Sequence, residues 1–313
     1  MKIFYHNDVD GLTAATLVQL HVQPKSCKLI AYDYTTHFPI ECIEHQEEVW
    51  LLDLSFSQAE AAVLDEILSR TKSITWIDHH RSSIETEINS SIYYKIAGSR
   101  DSRYSAAALC WMHLHSVKNF SELPLFLRMI SDSDTARHEI PEAFELMLGL
   151  ELKLGLDFSN IIQQLISESQ DQCDRNRALC PFLMGLTPLL DRLIKDGKAV
   201  LEYKVRLSEN YEQNYLCKGT LDEHPAYIVN VLAEIPLISM KNLGNVSDLF
   251  IGYMYDARSH QYIYRLYTDN PKIDCRKIAE KYGGGGHPFA AGFRHPKNLI
   301  QWKEESGRGI GHA

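Results

Sequence analysis

Two kinds of apolar pattern alternate along the first half of this chain. Short, dense runs at residues 2–5, 28–34, 49–52 and 73–77 predict strands. Longer stretches with helical spacing at 12–20, 58–70, 104–115 and 123–130 predict helices, the second opening from Ser57 as an N-cap. Val49-Trp50-Leu51-Leu52 is apolar at consecutive positions, as expected of a strand covered on both faces. Strand and helix in alternation predict βαβ units and a mainly parallel sheet flanked by helices. Three of the strands run straight into acidic or histidine residues: His6 to Gly11, Asp53-Leu54-Ser55, and Asp78-His79-His80. Ligands of an open parallel sheet lie beyond the carboxyl ends of its strands, so these turns occupy the positions of an active site.

The second half reads differently. Residues 159–195 predict helix, interrupted near Pro181 and Pro188, and Asp196-Gly197-Lys198 predicts a turn. Beyond it, 199–207, 226–232, 249–255 and 262–267 predict strands and 272–282 a helix, ahead of a polar tail of about a dozen residues. The organisation expected is α/β throughout: a metal-binding domain over 1–180, a helical connector over 181–198, and a smaller mixed α/β domain over 199–313.

Composition narrows the functional classes. Hydrophobic residues make up 45% and charged residues 23% of 313, a balance that supports a buried core rather than disorder. The net charge of −9 argues against a protein that coats long nucleic acid, which needs a basic surface. A small anionic substrate stays compatible with that charge, because bound cations reverse the potential locally. The seven cysteines are odd in number and include no C-x-x-C pair, so free thiols are expected rather than a disulfide framework or structural zinc. No run of 18 apolar residues and no signal-peptide core is seen, so a cytoplasmic location without membrane attachment is expected.

Chemistry concentrates in five motifs. In His6-Asn7-Asp8-Val9-Asp10-Gly11, two carboxylates in one tight turn call for a counter-charge, which a divalent cation supplies. Asp53 follows a buried strand, where casual solvation is poor. In Asp78-His79-His80 one imidazole can bind a metal while the other faces substrate, and the neighbouring carboxylate can fix a ligand's tautomer. Ser131-Asp132-Ser133-Asp134-Thr135 adds a second D-x-D. Oxygen-rich ligation with one or two histidines favours manganese or magnesium, and two such ions about 3.5–4 Å apart make a phosphoryl-transfer site. The fifth motif, Gly283-Gly284-Gly285-Gly286-His287, offers successive amides to an anion, with Ala290-Ala291-Gly292 expected to open a helix.

Taken in order, HNDVDG, LLDLS, IDHH, SDSDT and GGGGHPFAAGF resemble the DHH phosphoesterase superfamily with its C-terminal DHH-associated domain, over residues 6–293. That family includes RecJ-type exonucleases, oligoribonucleases (nano-RNases), phosphatases of 3′-phosphoadenosine 5′-phosphate and cyclic-dinucleotide phosphodiesterases. The resemblance implies two α/β domains with the active site in the cleft between them. It implies that Asp8 and Asp10 each bind one manganese ion, that Asp53 bridges the pair, and that His79 and one carboxylate of the fourth motif complete the set. Asp132 is the preferred choice there over Asp134. Asp78 would support a ligand, His80 would face the scissile phosphate, and Gly284, Gly285, Gly286 and His287 would hold a phosphate or terminal nucleotide. Asp53, His79 and His80 are accordingly the catalytic candidates, with water activated directly and no covalent enzyme intermediate.

The chain departs from the family at three points. Many members place a histidine four residues before the first Asp; here Phe4 stands there and His6 is the nearest imidazole, a candidate ligand. Two aspartates compete in the fourth motif. Small nucleases of the family carry a serine–x–arginine–serine strand, where this chain has Tyr264-Arg265-Leu266-Tyr267-Thr268, leaving Arg265 as a shifted phosphate contact. The expectation is a phosphodiesterase or phosphomonoesterase for short oligonucleotides or small nucleotides, using two manganese ions, with Mg2+ or Co2+ as substitutes. Long duplex nucleic acid is not an expected partner, and a homodimer is compatible with the sequence. Pyrophosphatase or exopolyphosphatase activity, and a silent nucleotide sensor, are the alternatives.

Overall fold

The computed structural model describes residues 1–22, 27–34, 37–56, 61–81, 84, 96–175, 187–231 and 249–302. It opens with β1 (Lys2–His6), α1 (Val9–Val22), β2 (Lys28–Tyr32), β3 (Glu47–Leu52), α2 (Ala61–Arg70) and β4 (Thr71–Ile77). The four strands form one sheet in the order β2-β1-β3-β4, every neighbouring pair parallel. Because β2 and β3 lie on opposite sides of β1, the connections leave the sheet in opposite senses there. This is a topological switch point, the place where strand ends leave a crevice.

The dense apolar runs have the physical cause anticipated for them. Ile3, Leu52 and Ile77 pack into one core with residues of α1, while their neighbours Phe4, Leu51 and Trp76 pack into another with Leu64 and Ile67 of α2. Successive side chains point to opposite faces, and here both faces are covered. The helices α3 (Ala106–His115), α4 (Leu125–Asp134), α5 (Ala143–Glu151) and α6 (Phe158–Arg175) follow, α3 to α6 all adding residues to the first core. Ser57, the anticipated N-cap of α2, lies outside the described residues.

The connector is where local pattern and fold part company. Helix α7 (Pro188–Tyr215) runs for 28 residues, straight through the turn expected at 196–198 and the strand expected at 199–207. Pro188 opens it rather than interrupting it: Thr187 accepts from Asp191 N at 2.8 Å and from Leu190 N at 3.3 Å. Residues 176–186, with Pro181, lie outside the described residues. Gly197 is there for approach, not for a turn. A Cβ on it would sit 1.7 Å from the Glu145 carbonyl oxygen, and one on Gly149 would sit 2.0 Å from that of Leu193. Two glycines thus let the backbones of α5 and α7 touch. Leu201, Tyr203, Val205 and Leu207 alternate as a strand would, but they continue a helix already formed, and the Glu202–Arg206 pair supports it.

The chain divides into two compact units, Met1–Val200 and Leu201–Ala313, the division falling inside α7. The second unit contains β5 (Cys217–Leu221), β6 (His224–Val229), β7 (Leu249–Asp256), β8 (Gln261–Tyr267), α8 (Cys275–Glu280), β9 (Gly285–Gly286), β10 (Ala290–His295) and β11 (Gln301–Trp302). Its mixed sheet has the order β11-β5-β6-β7-β8-β10-β9, with β6 and β7 parallel and the other pairs antiparallel. Tyr264, Leu266, Ala291 and Phe293 share its core with Cys275, Ile278 and Ala279 of α8. Ala290-Ala291-Gly292 is therefore strand, not the opening of a helix. Burial of Ala291 and Phe293 at alternate positions, together with the ladder to β8, outweighs the helix preference of two alanines. Five cysteines among the described residues are free thiols, and no helix among them is long and apolar enough to cross a membrane.

The α5–α7 contact is testable. Gly197→Ala should destabilise the protein by about 1–3 kcal/mol through overpacking against backbone that cannot retreat. Arg192→Ala, at an exposed position of α7, should stay within about 0.5 kcal/mol. Urea denaturation of both variants measures the difference; equal midpoints would contradict the close approach.

Candidate metal centre

Three of the four strand ends of the parallel sheet, those of β1, β3 and β4, deliver donors. His6 closes β1, and its Nδ1 lies 2.8 Å from Asp8 Oδ2 and 3.5 Å from Asp53 Oδ2. Phe4 is fully buried against Phe38, so His6 is the imidazole that faces the turn. Asp8 Oδ1 accepts from Gly11 N at 2.9 Å, closing the first turn of α1. Gly11 cannot be replaced without displacement: a Cβ there would lie 2.2 Å from the His6 carbonyl oxygen. The dense D-x-D-G turn is thus what lets helix and strand meet.

Asp10 is fully buried and points at the start of α3. Its two oxygens accept from Ala106 N at 2.7 Å and Ala107 N at 2.8 Å, 96 and 97 residues away. These are amides that a helix leaves unpaired at its N-terminus, where the macrodipole also favours negative charge. Ser105 caps the same helix, with its own amide donating to Ser131 Oγ at 2.9 Å. Neither Ser105 nor the alanine amides stood out in the sequence, although a serine directly before an Ala-rich run is an N-cap signature.

Asp53 follows β3 with φ of 56°, a left-handed conformation that costs a non-glycine residue of order 1 kcal/mol and persists only where the surroundings impose it. Its amide is held by the Ile77 carbonyl at 2.9 Å, which ties the turn to β4. After β4, His79 Nε2 lies 3.3 Å from Asp53 Oδ1, 3.3 Å from Asp134 Oδ2 and 4.0 Å from Asp10 Oδ2. Asp78, fully buried, holds His80 Nδ1 at 2.8 Å. The carboxylate of this motif therefore orients His80 rather than His79. Tyr34 adds a contact that sequence reasoning missed. Its hydroxyl accepts from Ser55 N at 2.6 Å, and its ring stands 5.7 Å from that of His6.

The fourth motif resolves against the preference for Asp132. That residue turns away from the cluster, its oxygens accepting from Glu139 N at 3.0 Å and Ile140 N at 3.1 Å. Asp134 is the carboxylate that meets His79. Residues two apart on a helix point some 200° from one another, so only one of the pair can face the strand ends.

Three groups of donor atoms lie within 4.8 Å of one another: His6, Asp8 and Asp53; Asp10, His79 and Asp134; and Asp53, His79 and His80. Asp53 and His79 each belong to two groups. Packing carboxylates together under cover perturbs Asp10, Asp53 and Asp134. Burial and the charge of Asp53 push Asp10 up to about 7. Burial and Asp10 hold Asp134 well above the usual carboxylate range. Asp53 goes the other way: its interactions with His6 and His79 overcome burial and lower it. Burial works against the His79 cation, but Asp53, Asp134 and Asp10 raise it to about 11. Hydrogen bonds to Asp53 and Asp8 bring His6 to about 10. Asp53 Oδ1 and Asp134 Oδ2 are buried acceptors with no hydrogen-bond donor. Two orphaned carboxylate oxygens aimed at one imidazole nitrogen fit a divalent cation, which takes oxygen and nitrogen donors of this kind.

In the second unit the glycine run does three separate things. Gly283, at φ of 77°, ends α8, with its amide on Glu280 O and that of Gly284 on Ala279 O. Gly284 permits close approach, since a Cβ would lie 2.2 Å from Gly292 O. Gly285 and Gly286 form β9, and His287 is exposed in the turn back to β10, its amide donating to Ala290 O at 2.7 Å. Arg265 is exposed on β8, opposite Gly252 and Gly292 on the flanking strands.

No protein-family model matches the chain, and neither does any curated protein. Solved structures do. The DHH domain of a protein from a ribosomal protein family aligns at a TM-score of 0.53 and 12% identity, over 96% of this chain and 82% of that one. The exonuclease RecJ bound to manganese aligns at 0.49 and 12%, over 93% and 84%. A pGpG-specific phosphodiesterase from Vibrio cholerae aligns at 0.45 and 13%, over 94% and 92%. At 12% identity the first of these likenesses is one of fold, and that fold is the DHH domain.

The two aspartates of the fourth motif separate experimentally. With chelator present, Asp134→Asn should keep or raise stability, because it removes a crowded buried charge; Asp132→Ala should cost about 1–3 kcal/mol through two unpaired amides. Added Mn2+ should stabilise the Asp132→Ala variant but not Asp134→Asn, as read by thermal melting. The reverse assignment would restore Asp132. A pH test follows as well. His6 and His79 are raised, so their contribution in the metal-free chain is complete below about pH 6.5 and is lost as pH climbs through 10–11. A cation needs neutral imidazole, so Mn2+ should bind with proton release and more tightly as pH rises from about 6 to 9. Titration calorimetry in buffers of different ionisation enthalpy detects this; binding heats independent of buffer would argue against imidazole ligation.

Proposed function

We propose that this chain is a divalent-cation-dependent phosphoesterase of the DHH type, acting on short oligonucleotides or small nucleotides. The observation that carries the reading is the pair of buried oxygens, Asp53 Oδ1 and Asp134 Oδ2, which both face the His79 imidazole at 3.3 Å, within overlapping donor groups that include His6, Asp8, Asp10 and His80. A fold that only needed stability would not gather carboxylates there without lysine or arginine. His6, Asp8, Asp10, Asp53, His79 and Asp134 would hold divalent cations, manganese by the donor set, which would supply charge neutralisation at the phosphate and a more acidic water.

The residues of the chain have distinct tasks in this scheme. Asp53 and His79, each common to two donor groups, tie those groups together. Asp10 is immobilised by the amides of α3, so its oxygens do not reorganise when charge develops. His80 is held by Asp78 through Nδ1, and that hydrogen bond and charge more than offset burial and raise its pKa. That shift favours the imidazolium, the form whose Nε2–H can donate to a phosphoryl oxygen or to the leaving oxygen. Arg265 and His287 are assigned as substrate contacts on the resemblance described above. The acidic net charge favours small substrates over long duplexes.

Bis-p-nitrophenyl phosphate with added Mn2+ tests the reading directly. Turnover should appear with Mn2+, vanish with chelator, and fall at least a thousandfold in Asp53→Ala. His80→Gln should lower kcat about 10²–10⁴-fold while leaving Mn2+ binding in place. A wild-type protein that binds Mn2+ yet hydrolyses neither this ester nor a dinucleotide would leave a nucleotide-binding sensor instead.

A further inference from the structure

The donor groups of the metal centre are not held equally. Asp10 is fixed by two backbone amides of α3, and His80 by the Asp78 carboxylate at 2.8 Å. The group of His6, Asp8 and Asp53 is more open: the Asp8 side chain is 41% exposed, against 17% for that of Asp134. His6 turns Nδ1 toward Asp8 and Asp53, while its Nε2 has no hydrogen-bond partner among the described residues. A histidine that ligates a metal is ordinarily oriented by a hydrogen bond from its second nitrogen. This ring needs another support.

Tyr34 supplies it. The residue follows β2, at one edge of the sheet, yet its hydroxyl reaches the turn after β3 and accepts from Ser55 N at 2.6 Å. Strand β1 lies between those two strands, so the side chain passes over the end of β1. There its ring stands 5.7 Å from that of His6, tilted by 45°. Tyr34 is braced from behind: Tyr32 meets its ring at 5.4 Å, Phe38 meets Tyr32 at 5.3 Å, and Phe4 of β1 meets Phe38 at 4.8 Å. The turn that Tyr34 reaches is the one carrying Asp53, and three successive residues of that turn are tied. Asp53 N donates to Ile77 O at 2.9 Å, Trp76 Nε1 donates to Leu54 O at 2.8 Å, and Ser55 N donates to Tyr34. The first two ties come from β4. The third comes from the opposite edge of the sheet and spans His6 on the way. A tyrosine placed there only to fill the core would be buried, but Tyr34 is 44% exposed.

We infer that Tyr34 is a positioning residue of the metal centre: by holding the His6 imidazole against the Asp53 turn, it sets cation affinity at the His6–Asp8–Asp53 group and not at the Asp10–His79–Asp134 group. The inference rests on the cation-binding part of the proposed function and is independent of any substrate. A ring fixed at its hydroxyl and braced at its base leaves the imidazole few orientations, so less rotamer freedom is lost when a cation binds. Without the ring His6 can swing to solvent; without the hydroxyl the Asp53 turn loses its tie on that side.

Mn2+ titration, read from the electron paramagnetic resonance of the unbound ion, tests this without substrate. Tyr34→Leu should weaken the class of site that His6→Ala also weakens, by about 10–100-fold, and leave the class that Asp134→Asn abolishes at wild-type affinity. Tyr34→Phe, which keeps the ring, should fall between Tyr34→Leu and the wild type. The double variant His6→Ala/Tyr34→Leu should bind no more weakly than His6→Ala, because Tyr34 acts through His6. Thermal melting with chelator checks that each variant folds. Equal weakening of both classes, additive losses in the double variant, wild-type affinities in Tyr34→Leu, or a wild type that binds no Mn2+ would each overturn the inference. A wild type that binds Mn2+ but hydrolyses no phosphate ester would remove the phosphoesterase reading, while the same titrations still decide the role of Tyr34.

Discussion

Two buried carboxylates, Asp10 and Asp53, with the half-buried Asp134 beside them and Asp8 at their edge, govern the architecture of the first unit. Charges of like sign under low dielectric repel by several kcal/mol each unless something positive stands among them. In the metal-free chain that role falls to protons: His79 and His6 are held as cations and Asp10 is pushed toward neutrality. A site arranged so that protons must be recruited is one that a divalent cation will occupy readily, because it replaces several weak counter-charges by one compact charge.

The surrounding fold consists largely of devices that bring those groups together and keep them there. Gly11 lets α1 begin against the backbone of β1, so that the D-x-D turn stays over the sheet end. The N-terminus of α3 supplies two amides to Asp10 from almost a hundred residues away. Asp53 is held in a left-handed conformation by its bond to β4. Each device is a backbone interaction, and backbone interactions reorganise less than side-chain ones. That rigidity suits a site meant to meet charge as it develops.

The same residue type performs different work within a single motif. Asp132 and Asp134 both follow the pattern of a metal-binding pair, yet one organises a loop and the other faces the strand ends. Asp78 supports His80, leaving His79 to the carboxylates. In the second unit, consecutive glycines end a helix, permit a close contact and form an edge strand in turn. The loop that Asp132 organises follows directly after Asp134, so the aspartate that turns away from the cluster still shapes the chain leaving it.

Much of this was legible in the chain itself. Runs of consecutive apolar residues marked a sheet covered on both faces, and the acidic or histidine turn after each run marked the sheet edge that holds chemistry; both follow from local spacing. Local spacing could not tell that 199–207, which alternates like a strand, belongs to a helix, since that depends on α7 meeting α5 through Gly149 and Gly197. Nor could it tell that Ala290-Ala291-Gly292 would pair with β8, or that His6 rather than a residue at position 4 would face the cluster. The choice of Asp134 over Asp132 came from the direction in which a helix presents its last turn to strands more than fifty residues earlier. The order of residues is enough to say which groups are available and which elements carry them. Which of those groups meet is fixed only by packing, because orientation across elements depends on segments far apart along the chain.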